Sequence, residues 1–511
     1  MIVFTIYFLI LCFLVYKTGL FGMFKDDTFN RKFFLAAFFI KASSLAVFYL
    51  VYMKLYGTIY YSDTGNFFRD SNVIHNIAFS DFGEFVKLML GFQEDGEGTY
   101  IFKFLEPTTT WDKTTDEILY NDNRLVLRFH ALIHFISFGN YFVHALFSCF
   151  LSLIGINWIY KTFKGQFKNK EIYFYLAWLI FPGVWFWTSG VFKEGPALFV
   201  LGLVLISLKR VIALRKYSIK NLVMLFIALQ LSLTFKSYLM IPVLLSTIIF
   251  FGVQNRTERS AGLKYVVILF IVLTLTNLTL YLFVKKDAVK ILAERQRNFI
   301  DVSHGGLFLV NEEKFIRTEY DFSLVDIDST QKEVKARIRP GVPYMYFMQT
   351  DILDTLYCQN NTDSAWYPLS YIIPKSNTTF TPLVTVTDWP SFLKSVPYSL
   401  CITLFKPFFF DARNAIDRVS SFENLMILLS LLWFLYNGIK HGFRNPHYVY
   451  FLSMAVMVLV IIGITSPNLG AMQRYRALVI PFILLTALLS STIKDPSGLS
   501  KFFKNQGTFS E

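Results

Sequence analysis

The chain has 511 residues, of which 54% are hydrophobic and 18% aromatic, and it carries a formal net charge of +13. Together with a mean hydropathy of +0.45, these values exclude an ordinary soluble enzyme and indicate a polytopic helical membrane protein. The positive charge does not indicate a nucleic acid partner, because Lys and Arg cluster in short gaps between apolar runs, as they do on the cytoplasmic side of membrane proteins.

The apolar runs predict an all-α polytopic protein with about eleven transmembrane helices. The basic gaps alternate so that the N-terminus lies outside, the C-terminus lies inside, and two large segments face the periplasm from the inner membrane. The predicted spans are Met1–Tyr16, Phe33–Tyr52, Phe142–Tyr160, Ile172–Ser189, Ala197–Leu208, Asn221–Thr234, Ser237–Val253, Tyr265–Val284, Leu425–Tyr436, Tyr448–Ile464 and Leu478–Ile493.

This pattern divides the chain into an N-terminal transmembrane module (1–284), an outer segment (285–422) and a C-terminal transmembrane module (423–511). The first module contains the first outer loop, residues 57–140. The second outer segment has no run of about 20 apolar residues, and we expect a small periplasmic subdomain there with a little β structure, for example at Pro382–Val386. Ser391–Phe410 predicts an interfacial helix, although a true span there would invert everything after it.

The first outer loop is the most polar part of the N-terminal half. Its stretch from Tyr60 to Asn72 contains Asp63 and Asp70, and acidic runs follow around residues 94–97 and 112–117. Arg128, His130 and His134 then lie along an apolar helix, which predicts an amphipathic helix on the membrane or over a cavity. The spacing of the two histidines suits a metal, but no third ligand lies in register, so we favour the interfacial helix.

A charged break interrupts the apolar run at Phe181–Pro196, where Lys193 and Glu194 are adjacent. One interpretation is a loop at the water interface with Trp187 as an interfacial belt residue. The other is a pocket in which Lys193 meets an anionic substrate. The Gly195–Pro196 pair would then start a helix whose N-terminal amides point at the same anion.

The polar residues that are costly near a membrane all lie on the predicted outer side, which favours an outer-face active site. Basic residues beside carboxylates suit a transferase with a lipid-phosphate donor: cations stabilise the leaving phosphate and a carboxylate accepts a proton from the attacking hydroxyl. Simpler roles are also open. Asp63 would cap a helix, and Arg474 and Arg476 would anchor the last span at the headgroup level.

The layout resembles the GT-C superfamily of integral membrane glycosyltransferases. The resemblance rests on the acidic residue just after the second span (Asp63), the many spans, the mid-chain outer segment and the stretch Gln473–Arg476. It implies sugar transfer from a polyprenyl-phosphate or polyprenyl-diphosphate carrier on the periplasmic face, with Asp63 as the base and Arg474 and Arg476 near the donor phosphate.

The predicted site extends this set by neighbouring polar residues. The catalytic candidates are Asp63 and Asp70; the phosphate-binding candidates are Lys193, Arg474 and Arg476; the substrate-binding candidates are Glu194, Arg128 and Trp187. Many GT-C enzymes have two close acidic residues in this loop, whereas Thr64 and Gly65 follow Asp63 here. Since a divalent cation needs several converging oxygen ligands, we predict no cofactor and no obligatory metal.

Three other functions remain open. An O-antigen or capsule polymerase or ligase also uses outer-loop arginines and a lipid-diphosphate donor, but the large acidic first loop favours the transferase. A lipid-linked oligosaccharide flippase would show internal pseudo-symmetry and mid-membrane charges, and neither is evident. A non-catalytic subunit of an envelope complex is the third. The predicted partners are a lipid-linked sugar donor, a glycan, lipid or protein acceptor, and membrane lipids, with no nucleic acid.

Overall fold

A computed structural model describes the chain in two compact units. The first comprises Met1–Leu273, Pro407–Val458 and Arg474–Glu511, and the second comprises Thr274–Lys406 and Leu459–Gln473. The second unit therefore takes part of its chain from well beyond the predicted outer segment 285–422. The described residues are all except 1, 19–22, 25, 92–101, 106, 112–121, 255–260, 286, 305, 312–313, 319–324, 329–334, 349–356, 361–364, 374–377, 413–414, 444 and 506–511. Both acidic runs of the first outer loop fall outside this set.

The described chain is a multi-pass helical membrane protein. Six of its helices are long and apolar enough to cross a membrane: Arg31–Tyr56, Tyr141–Gln166, Glu194–Ala213, Gly262–Leu282, Ile416–His441 and Pro446–Thr465. A seventh span exists if Leu469–Arg476 and Ile480–Ser490, which are bent by 49°, cross as one. Shorter apolar helices occupy Ile2–Lys17, Ile219–Thr234 and Met240–Val253. The total of about eleven spans stays a prediction.

The α-helices follow one another along the chain in this order: α1 (Ile2–Phe13), α2 (Arg31–Tyr56), α3 (Asp63–Ser80), α4 (Phe82–Leu90), α5 (Phe102–Leu105), α6 (Asp122–Ser137), α7 (Tyr141–Phe163), α8 (Glu171–Leu179), α9 (Pro182–Trp187), α10 (Glu194–Leu208), α11 (Ile219–Thr234), α12 (Ser237–Gln254), α13 (Ala261–Val284), α14 (Ala288–His304), α15 (Trp389–Phe405), α16 (Ala415–His441), α17 (Pro446–Thr465), α18 (Leu469–Arg476), α19 (Ile480–Ser490) and α20 (Ser497–Phe503).

The predicted span Ile172–Ser189 is wrong as a continuous helix, because the chain forms the two short helices α8 and α9 there. Pro182 lies at the first turn of α9, and Phe181 before it is extended, with ψ of 122°. Proline disfavours a helical conformation in the preceding residue and has no N–H to continue a helix. Helix α10 does begin beside the Gly195–Pro196 pair, as the sequence predicts.

Helices α7 and α10 of the first unit pack with their backbones in close contact. Gly155 on α7 lies against the backbone of Leu198, and Gly202 on α10 lies against the backbone of Gly155, so a methyl group at either glycine would overlap the opposite helix. Small residues allow such close backbone approach between membrane helices. This contact fixes α10, whose first residue is Glu194, against α7.

The second unit contains a seven-stranded antiparallel sheet, more β structure than the sequence predicts. The order of its strands is β3-β4-β7-β1-β2-β5-β6. Leu309, Ala336 and Ile338 form its small buried core. The strands are β1 (Gly306–Asn311), β2 (Lys314–Thr318), β3 (Val325–Asp328), β4 (Lys335–Ile338), β5 (Pro343–Met348), β6 (Tyr357–Asn360) and β7 (Tyr367–Ile373).

The run Pro382–Val386, expected to be β structure, lies outside this sheet. The backbone N–H of Val386 donates to the side-chain oxygen Oε1 of Gln296 at 2.8 Å, so a side chain takes the place of a strand partner. Val386 itself is buried among apolar side chains that include Val289 and Ile464.

The predicted interfacial helix Ser391–Phe410 is shorter and begins earlier in the structure, as α15. Asp388 and Ser391 form a reciprocal capping box at its start, and it ends at Phe405, two residues before Pro407. The start follows local chain chemistry, since a capping box begins a helix; the end lies just before Pro407, although α15 accommodates Pro397 in its interior. Its interfacial placement stays a prediction.

Candidate functional site

Asp63 is the first residue of α3, and the segment around it is built by close backbone contact. The chain leaves α2 through Gly57, which adopts a left-handed conformation with φ of 68°. A short 3₁₀ turn at Ile59–Tyr61 then lies on the first turn of α3. A side chain at Gly65 would overlap the backbone of that turn, which explains why glycine follows so soon after Asp63.

Thr64 connects this segment to the charged break at Phe181–Pro196. Its hydroxyl hydrogen-bonds the Tyr141 hydroxyl at 2.6 Å and accepts the backbone N–H of Val191 at 3.0 Å. The start of α3, the start of α7 and the segment before α10 are therefore held together. The Asp63 side chain remains 66% exposed, so its carboxylate is open to a substrate.

Four charged side chains meet at this point, and we call Asp63, Glu194, Lys236 and Arg474 the charge cluster. Arg474 Nη1 lies 3.1 Å from Asp63 Oδ2, and Arg474 Nε lies 3.4 Å from Glu194 Oε1. Lys236 Nζ lies 2.6 Å from the same Glu194 oxygen. Two cations thus share one carboxylate oxygen, and one of them extends to the exposed Asp63.

The cluster runs from a buried end to an exposed end. The side chains of Glu194 and Lys236 are 0% and 1% exposed, and that of Arg474 is 15% exposed. The ring centroid of Tyr475 lies 4.1 Å from Lys236 Nζ and 5.3 Å from the Arg474 guanidinium. Desolvated cations over an aromatic face are stabilised by its quadrupole.

Two details mark the buried end as constrained. Lys236 has φ of +46°, a left-handed conformation that is unfavourable for a residue with a side chain. Glu194 Oε2 is buried and has no hydrogen-bond partner among the residues that the structure describes. Strained backbone and unsatisfied buried polar atoms concentrate at functional sites.

Lys193 and Trp187 each lie near an aromatic ring in the region of the charge cluster, and their part in a site stays a prediction. Lys193 Nζ is 5.8 Å from the ring centroid of Phe67 on α3. The ring centroids of Trp187 and Phe192 are 6.2 Å apart, and Phe192 lies 5.0 Å from the Arg474 guanidinium. An aromatic wall therefore borders the cluster.

Arg476 is paired differently from Arg474. It is 1% exposed, and its Nη2 donates to Asn424 Oδ1 at 2.6 Å and lies 3.4 Å from Glu423 Oε1. Glu423 Oε2 in turn accepts the backbone N–H of Gly183 at 2.7 Å. This buried network joins α16, α18 and α9, and it fits a structural role better than contact with a donor phosphate.

Asp70 and Arg128 also make contacts that fit structural roles. Asp70 Oδ2 accepts the backbone N–H groups of Thr109 and Thr110 at 2.9 and 2.6 Å, together with both threonine hydroxyls. Arg128 Nε donates to Leu88 O at 2.9 Å, and its guanidinium lies 5.6 Å from the Trp111 ring. Both residues fasten parts of the first outer loop together.

The site predicted from the sequence does not contain Lys236 or Tyr475, which lie in or against the charge cluster, and it does not contain Lys41, which binds helix α9 instead. Lys41 is fully buried within α2, and its Nζ donates to the carbonyl oxygens of Val184 and Trp185 at 3.2 Å and to Thr188 Oγ1. A cation at the C-terminal carbonyls of α9 is electrostatically favourable. The signal was a lysine inside an apolar span, since such charges mark buried polar partners.

The described residues contain no group of three or more His, Cys, Asp or Glu side chains arranged to hold a metal ion. What the cluster offers is therefore an exposed carboxylate, a guanidinium next to it and a buried second cation. Comparison with protein-family models, curated proteins and solved structures finds no match to this chain.

Proposed function

We propose that the chain is a membrane glycosyltransferase that moves a sugar from a polyprenyl-phosphate or polyprenyl-diphosphate donor to an envelope glycan, lipid or protein acceptor. The observation that carries the proposal is the Asp63–Arg474 pair, in which an exposed carboxylate meets a guanidinium that a buried Glu194–Lys236 pair supports. An accessible acid beside a fixed cation is the pairing that a base and a phosphate-binding group require.

In this mechanism Asp63 accepts the proton of the acceptor hydroxyl as its oxygen attacks the anomeric carbon of the donor sugar. The bond from that carbon to the phosphate oxygen breaks, and the phosphate leaves with the electron pair. Arg474 binds the leaving phosphate through two hydrogen bonds, and Lys236 and Lys193 add positive charge. Asp63 must leave Arg474 for this, which its exposure allows.

The orientation belongs to the proposal as well. We propose that the charge cluster faces the periplasm from the inner membrane and that the chain has about eleven spans, as the basic gaps of the sequence predict. The donor would then be a lipid-linked sugar already presented at that face. The reaction needs no cofactor, because positioning and fixed charges supply the stabilisation.

The test is turnover by the purified protein in nanodiscs with a panel of polyprenyl-linked sugars, followed as carrier release. Asp63→Asn and Arg474→Ala should each lower the rate by about 100-fold or more. The matched control is Asp411→Asn, which removes another exposed carboxylate and should leave the rate unchanged. Full turnover in both cluster variants would remove the charge cluster as the active site.

The same assay separates the alternatives. An O-antigen or capsule polymerase or ligase would use the same donor chemistry but yield products of extended length or a different acceptor. Donor binding without turnover by the wild-type protein would favour a lipid-linked oligosaccharide flippase. Stoichiometric binding of a protein partner with no action on lipid-linked sugars would favour a non-catalytic envelope-complex subunit.

A further inference from the structure

Four of the seven histidines of the chain lie together where α3, α6 and α7 pack. His75 lies on α3, His130 and His134 on α6, and His144 in the first turns of α7. The ring centroids of His134 and His144 are 4.2 Å apart, those of His130 and His144 are 5.3 Å apart, and those of His75 and His134 are 5.6 Å apart. His130 and His144 are 0% exposed and His134 is 5% exposed.

The contact between two of these rings requires at least one neutral imidazole. His130 Nδ1 and His144 Nδ1 face each other at 3.1 Å, so one nitrogen must donate a proton and the other must accept it. His144 Nε2 hydrogen-bonds Ser137 Oγ at 2.8 Å. If both rings of the His130–His144 pair were protonated, two N–H groups would point at each other. The pair is therefore stable only while at least one ring is neutral.

His134 connects the cluster to α3. Its Nε2–H donates to the Phe68 carbonyl oxygen at 3.2 Å and lies 3.1 Å from Ser71 Oγ. The Phe68 ring also lies 4.9 Å from the centroids of both His134 and His144. The same helix begins at Asp63, so the histidines hold the helix that carries the exposed carboxylate.

Charged groups on the packed elements are engaged elsewhere. On α3, Asp63 pairs with Arg474, Asp70 binds the threonine loop and Arg69 contacts Asn66. On α4, Asp81 caps the helix and Glu84 pairs with Lys87. On α6, Arg124 and Arg128 lie over Trp111, and on α7 the Tyr141 hydroxyl binds Thr64. Among the described residues, neither of these two ion pairs places a carboxylate on the imidazoles.

We propose that the four histidines form an acid-sensitive latch, which holds α3 on α6 and α7 while the rings are neutral and releases α3 when they take up protons. Release would displace Asp63 from its place beside Arg474. The inference is independent of the proposed function, because it concerns only the packing of α3.

The direction of the pH dependence follows from burial. Desolvation lowers the pKa of His130 to about 3 and that of His134 to about 4, and it also lowers the pKa of His75. An imidazole released into water regains a pKa near 6.5, so the open state binds more protons and gains population as pH falls below that value. At pH 5, each of the two α6 rings favours opening by roughly 30-fold relative to neutral pH.

The experiment is hydrogen–deuterium exchange of the full-length protein in nanodiscs at pH 7.5 and pH 5, with rates corrected for intrinsic pH dependence. The measured quantity is the ratio of α3 protection at the two pH values, with α10 as the internal reference. We expect α3 protection to fall by at least roughly 10-fold at pH 5 while that of α10 stays constant.

The variant is His130→Gln combined with His134→Gln, because glutamine forms hydrogen bonds but does not titrate. The double variant should lose most of the fall in α3 protection at pH 5. A destabilisation of α3 that is equal at both pH values cancels in the ratio of the two protection values. The matched control is His447→Gln, a buried histidine of α17, which should keep the wild-type response. Three results would each overturn the latch: unchanged α3 protection in the wild type, an intact response in the double variant, or an equal loss of protection in α10.

Discussion

The buried Lys236–Glu194 pair allows a sharp test of how the charge cluster is held. Lys236→Met keeps the apolar volume of the side chain and removes its charge. Glu194, which is 0% exposed, then loses its partner at 2.6 Å and keeps only the longer contact of 3.4 Å with Arg474. Because removing the nearer partner of a buried ion pair leaves the Glu194 charge poorly compensated, we expect the free energy of unfolding to fall by about 3 kcal/mol.

The double variant Lys236→Met with Glu194→Gln separates charge from packing. Glutamine leaves no buried charge, so the double variant should be more stable than the sum of the two single changes predicts, by about 2 kcal/mol. A matched control is Lys87→Met, since Lys87 and Glu84 form a pair of similar length, 2.7 Å, in which the lysine side chain is 59% exposed. That change should leave stability unaltered, because solvent screens an exposed pair.

The assay is urea unfolding in mixed micelles, followed by tryptophan fluorescence at several protein concentrations. Unfolding of Lys236→Met with the wild-type midpoint and slope would contradict this expectation. So would additivity of the two single changes in the double variant, because the pair would then contribute no coupling.

Three further outcomes follow from the packing. Gly202→Val should separate α10 from Gly155 and lower the free energy of unfolding by about 1–3 kcal/mol. Scanning fluorimetry in nanodiscs should show this as a lower melting temperature. Gly183→Ala places a methyl carbon 2.9 Å from both Glu423 oxygens and should lower the melting temperature in the same assay. Hydrogen bonds from the first turn of α15 lower the pKa of Asp388, so hydrogen exchange at that helix start should stay slow above pH 4 and accelerate below it.

The prediction of the membrane class required only the sequence, because apolar runs and basic gaps act through their local composition. The break at Phe181–Pro196 was equally visible, since proline and adjacent charges interrupt an apolar run whatever surrounds them. The prediction of one helix over Ile172–Ser189 was wrong for a local reason as well. The run contains Pro182, which interrupts a helix, but the prediction followed the hydropathy of the run and disregarded the proline.

The partners of the charges were decided by the tertiary structure. Asp63 and Arg474 are 411 residues apart in the chain, and nothing in either segment indicates the other. Arg474 and Arg476, which the sequence treats alike, have different partners because residues two apart on a helix point to different sides of it. Arg474 therefore reaches Asp63 and Glu194, while Arg476 reaches Glu423 and Asn424.

The membrane class, the positions of most helices and the charges that are costly near a membrane can all be read from the amino-acid sequence. That Lys236 belongs to the same cluster as Asp63, and that Asp70 binds a threonine loop instead, is seen only in the folded chain. The physical reason is that hydropathy is a property of each segment, whereas an ion pair needs two segments whose approach is set by packing, such as the glycine contact between α7 and α10.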